Sequence, residues 1–161
     1  MADGSANPGG ADMIELTTPV DRAWDPVVRL VLGGIADRID LPFEELDDLQ
    51  LAVERLRAEA GSQESLKIAI ELTERGVRVR LGPLRERAIA EALQGPAPAP
   101  GELTLRRVLE TVVDSFGVEE AAGGELVVRL EKRVRGSGSP SRSSEAGRRG
   151  SERGAGGPAE V

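Results

Sequence analysis

The chain has 161 residues and an acidic balance, 28 Asp and Glu against 21 Lys and Arg, for a formal charge of −7. That balance argues against a nucleic-acid binder, which needs a basic face to neutralise phosphates. With no cysteine, histidine or tyrosine, disulfides, thiolate nucleophiles, Ser-His-Asp catalysis and the commonest zinc ligands are excluded. The core must be largely aliphatic.

Residues 1–12 are rich in Gly, Ala, Asp and Pro and read as a disordered N-terminal tail. Residues 136–161, "GSGSPSRSSEAGRRGSERGAGGPAEV", contain one large apolar residue, Val161. Such a segment cannot bury enough apolar area to offset its chain entropy, so it reads as a Gly/Ser/Arg-rich disordered tail. One folded domain is expected over 13–135. Charge interrupts every apolar run within a few residues, so no membrane span is expected. The start lacks a basic and then apolar leader pattern, and a cytoplasmic location is the expectation.

In chain order, Met13-Ile14-Glu15-Leu16-Thr17 alternates and predicts a short strand. Trp24, Val27, Val28, Val31, Leu32 and Ile35 recur at helical spacing, which predicts an amphipathic helix from Asp25 to Arg38 with Trp24 as a core or helix-packing residue. Pro26 falls in its first turn, where a missing N–H costs nothing. A second helix is expected over 42–60 on the stripe Phe43, Leu46, Leu49, Val53, Leu56 and Ala60. Its N-terminal acids Glu44, Glu45, Asp47 and Asp48 suit the helix dipole, and Gly61 is a plausible stop.

The period then changes to two. Leu66, Ile68, Ile70 and Leu72, and after Gly76 the residues Val77, Val79 and Leu81, read as a β-hairpin. Leu84, Ala88, Ile89 and Leu93 suggest a short helix. "GPAPAPG" at 95–101 cannot be helical. A helix over 102–116 and a strand over 125–134 complete the order. Hairpin strands beside helices predict an α+β, two-layer α/β sandwich with a mixed or antiparallel sheet and helices on one face. Arg78, Arg80 and Arg129 would share a solvated strand face, or else meet an acidic partner.

Two strings carry a family resemblance: "VVRLVLGGIADRIDLPFEELDDLQLAVE" at 27–54 and "LRRVLETVVDSFGVEEAAGGELVVRLEKR" at 105–133. With the element order, they resemble the anti-sigma factor serine-kinase family of the GHKL (histidine-kinase/Hsp90-like) ATPase superfamily. The resemblance spans about 13–135. It implies that fold, a protein partner such as a sigma factor or an anti-anti-sigma antagonist, homo- or heterodimers, and an Mg-ATP site built on three motifs.

Each motif departs from the pattern. The family's second helix carries a general-base Glu and, four residues on, a magnesium-holding Asn; Arg55 and Glu59 stand there. Arg cannot accept a proton, whereas Glu59 has a carboxylate that can ligate Mg²⁺. An adenine-binding Asp-x-Gly-x-Gly is expected after the hairpin, but the chain reads Val79-Arg80-Leu81-Gly82-Pro83-Leu84. In the last motif Gly101 remains, while Thr104 takes a glycine position. The nucleotide-site candidates are therefore Glu59, Gly82, Gly101 and Thr104, with Glu59 as a metal ligand only if Mg-ATP binds.

Structurally blander readings stand beside these: an exposed Arg55–Glu59 ion pair, and a strand-ending turn at Gly82-Pro83. The expectation is a regulatory, anti-sigma-like protein acting by protein–protein binding, with a degenerate nucleotide site and no cofactor. The alternative is an active ATP-dependent serine-protein kinase that uses Glu54 or Glu59 as base or metal ligand.

Overall fold

The computed structural model describes residues 12–135. In chain order it contains β1 (Met13–Pro19), α1 (Asp25–Arg38), α2 (Phe43–Ala58), β2 (Ser65–Thr73), β3 (Gly76–Leu84), α3 (Arg87–Gln94), α4 (Leu105–Val112), β4 (Ser115–Glu120) and β5 (Leu126–Arg133). Single 3₁₀ turns precede α1 and β5.

The strands form one five-stranded sheet in the order β1-β2-β3-β5-β4. Every pairing is antiparallel, so of the two expected sheet types the antiparallel one is realised. Strand alternation sends Ile68, Ile70, Val79, Leu81, Val128 and Leu130 to one face, where they are buried with Leu49, Val53 and Leu56 of α2 and Leu109 of α4. Burying each such side chain is worth about 1.5–3 kcal/mol relative to exposure. The other face carries long charged side chains, and the expected α+β two-layer architecture holds.

Helix α1 has the predicted boundaries, with proline in its first turn. Helix α2 ends two residues early at Ala58; Glu59 is its C-cap. Gly61 follows at φ +67°, a left-handed conformation that favours glycine. No helix among the described residues is long and apolar enough to cross a membrane.

Three expectations are corrected. The helix expected over 102–116 ends at Val112, and Ser115–Glu120 is instead the edge strand β4. Phe116 fits a helical stripe, but it also alternates with Val118, and β5 supplies its partner Leu130. A neighbouring strand with free ladder groups outweighs a local period. Leu84, expected in the short helix, closes β3. Trp24 is 45% exposed and Phe43 is 79% exposed, so neither belongs to the core; both lie where helices begin and the sheet does not reach. As expected, Arg78, Arg80 and Arg129 share the open face of the sheet and stay a third or more exposed, while pairing with acids of the same chain. Arg78 pairs with Glu71 at 3.1 Å and Glu131 at 3.0 Å, while Arg80 and Arg129 reach Glu119 at 3.5 and 3.7 Å.

Candidate functional site

The site expected from the sequence centres on the polar side of α2. Arg55 and Glu59 form the i,i+4 pair at 3.9 Å, each about two-fifths exposed. Arg55 also lines a cleft of about 210 Å³ with Val20, Arg22, Asp25, Leu51 and Glu54. Both carboxylates of that cleft are already engaged. Glu54 forms a two-point ion pair with Arg29 across from α1, its second contact at 2.9 Å, and this raises the pKa of the Arg29 guanidinium. Asp25 accepts from Arg57 Nε at 3.0 Å.

Gly82 lies inside β3, at the register shift between β3 and β5. A Cβ there would fall 2.8 Å from the Leu126 carbonyl oxygen and 2.9 Å from a Val127 methyl. Its missing side chain makes room for the neighbouring strand. It borders a groove of about 410 Å³ with Met13, Ala69 and Val127, on the sheet face away from the helices.

Gly101 occupies a turn at φ +84° with nothing packed on it. Thr104 is the N-cap of α4; its hydroxyl accepts from Arg107 N at 3.2 Å. It borders a third concavity of about 290 Å³, beside 95–99 and α3. The loop itself is tied to α4, because Arg106 donates to the Gly95 carbonyl and Arg107 to those of Pro98 and Ala99 at 3.3 and 3.4 Å.

Arg55, Gly82 and Thr104 border three different concavities, and Glu59 meets Arg55. Among the described residues, no group of three or more Asp, Glu, His or Cys side chains is placed to hold a metal ion.

Two residues that the sequence reading passed over hold this framework. Arg57 on α2 is 1% exposed. It donates to Asp25, to Thr18 Oγ1 at 2.6 Å, and to the carbonyls of Pro19 and Asp21 at 3.1 and 3.4 Å. Lys132 on β5 is 4% exposed. Its ammonium meets Glu45 at 2.7 Å, Asp48 at 3.1 Å and the Val112 carbonyl at 2.7 Å. Burial alone would lower its pKa, but the bonds to Glu45 and Asp48 outweigh burial and raise it. Lys132 falls at an inward position of the series Leu126, Val128, Leu130, a signal present in the alternation. Arg57 also had a positional signal, four residues after Val53 and eight after Leu49 on the buried face of α2, but its partners, 32 to 39 residues away in sequence, did not.

No protein-family model matches the chain. Among curated proteins it is similar to the serine-protein kinase RsbW of Bacillus subtilis (strain 168), with 37% identity over 43 residues, or 27% of this chain and 27% of that protein. The similarity is therefore local and spans about a quarter of the relative's length.

Proposed function

We propose that this chain is a regulatory protein of anti-sigma type. It acts by binding a protein partner, a sigma factor or its antagonist, through a fold whose ancestral nucleotide site has become structural. One observation carries the reading: residues at the motif positions are committed to contacts within the chain. Thr104 caps α4, Gly82 accommodates β5, and Arg106 and Arg107 hold the loop between α3 and α4. The local similarity to RsbW supports the regulatory class.

Calorimetric titration with Mg-ATP tests the degenerate site. The expected result is no binding heat. Micromolar binding that disappears in Glu59→Ala would sink this reading. It would favour the second one, an ATP-dependent serine-protein kinase, for which the local similarity to a serine-protein kinase is the motive. Co-purification from the native host tests the partner. Recovery of a sigma factor or its antagonist is expected; recovery of only a kinase-competent homologue would replace the reading with that of a heterodimer-supporting subunit.

A further inference from the structure

The loop between α3 and α4 reads Gly95-Pro96-Ala97-Pro98-Ala99-Pro100. Every residue in it is a proline or directly precedes one. Proline fixes φ near −65°, and a residue before proline is driven to extended or polyproline II backbone. Gly95 shows this directly, at φ −67° and ψ −178°. The two half-buried residues of the run stand three apart, the spacing of one polyproline II turn. Gly95 and Pro98 are half-buried against the protein, whereas Pro96, Ala97, Ala99 and Pro100 are exposed.

A polyproline II segment has no internal hydrogen bonds, and α4 satisfies its inward side. Arg106 takes the Gly95 carbonyl, and Arg107 takes those of Pro98 and Ala99. The ridge ends in a tight turn in which Glu102 N donates to the Ala99 carbonyl at 3.1 Å. Pro100 holds the second turn position and Gly101 the third at φ +84°, the pattern of a type II turn. Directly beyond, Leu103 is 77% exposed. Glu91 and Glu102 flank the ridge, lining the notch beside it. Neither carboxylate forms a salt bridge among the described residues.

From this arrangement we infer that residues 95–103 are a recognition ligand, a rigid proline ridge displayed for a partner protein whose groove is lined with aromatic rings and rimmed by basic side chains. Grooves of that chemistry read proline-rich segments because the bound conformation is already formed and costs little entropy to capture. Leu103 supplies an apolar anchor at one end, and Glu91 and Glu102 supply the charge that a basic rim complements. This surface stands apart from the regulatory reading above, since it needs neither a sigma factor nor a nucleotide.

The test uses the isotope-labelled full chain titrated with three purified readers of polyproline II, a WW, an SH3 and an EVH1 domain. Binding of at least one is expected to shift the amide signals of Gly95, Ala97, Ala99, Gly101 and Leu103. The double variant Pro96→Ala/Pro100→Ala should weaken that binding at least about tenfold with an unchanged melting temperature. Arg107→Met, with all prolines intact, should weaken it severalfold by freeing the ridge. Glu102→Lys should weaken a basic-rimmed reader further. Absence of shifts with all three domains up to about 1 mM overturns the proposal. So do shifts confined to other residues, or equal affinity in the double variant. Mg-ATP titration reads nucleotide binding and co-purification reads a native partner, whereas the three domains report on the proline segment alone, so failure of either of those tests leaves this result unaffected.

Discussion

Arg57 serves the Asp25 carboxylate, the Thr18 hydroxyl and two carbonyls of the β1–α1 connection at once. Arg57→Ala would leave that carboxylate and those oxygens facing a buried gap. Removing one partner of a buried charged pair costs about 3–5 kcal/mol, so urea unfolding should show a loss of that size. Arg57→Lys should recover only part of it, because an ammonium lacks the planar fork that reaches all four acceptors. Lys132 is the other buried cation. Its folded pKa is raised, so the stability it lends is fully present below the unfolded lysine value, about 10.4. That stability is lost as pH rises through the folded value. Stability measured between neutral and strongly alkaline pH should therefore fall in the wild type, and Lys132→Met should lack that component of the fall. Lys132 was legible in the strand's alternation, but its acids were not: Glu45 and Asp48 read as ordinary acids near the N-terminus of α2 until β5 was laid against it.

At the scale of elements, α4 is short, eight residues, and depends on its ends. Thr104→Ala removes the hydroxyl that caps it and should cost about 1 kcal/mol, whereas Thr104→Gly should cost only a few tenths; thermal unfolding separates the two. Gly82→Ala should cost about 1–3 kcal/mol, because the new methyl overpacks the β5 backbone. Across the open sheet face, Glu131 accepts from Arg78 at 3.0 Å and from the Ser115 hydroxyl at 3.2 Å. Burial alone would raise its pKa, but these bonds and the nearby Arg129 together lower it. Its contribution is therefore present above the ordinary glutamate value, about 4.3, and is lost as pH falls through the lowered one. Glu131→Gln should flatten that part of the acid limb of the stability curve. The effect at neutral pH should stay within about 1 kcal/mol, as for other partly exposed pairs.

At the scale of the whole molecule, a ligand that binds only the folded state at one hundred times its Kd adds about 2.7 kcal/mol of stability. A degenerate nucleotide site predicts no rise in melting temperature with saturating Mg-ATP. The expected tails at 1–12 and 136–161 fall almost wholly outside the described residues, 12–135. Their dispensability is a prediction: a chain of residues 12–135 should unfold cooperatively at nearly the same temperature as the full chain.

The sequence by itself determined the aliphatic core, the α1 boundaries, the hairpin and the α+β class. These follow from local periodicity and turn chemistry, which every residue carries with it. It also showed which residues stand at the motif positions, since that requires only counting along the chain. Only the tertiary structure decided that 115–120 is a strand, because a helical and an alternating pattern coexist there until β5 offers its edge. Only the tertiary structure showed the company those motif residues keep: Thr104 at a helix cap, Gly82 against a neighbouring strand, and Arg55 in a cleft whose acids are already paired. The physical reason is the same throughout. Hydrogen bonds and ion pairs among residues tens of positions apart depend on how the layers stack, and a one-dimensional pattern does not contain that arrangement.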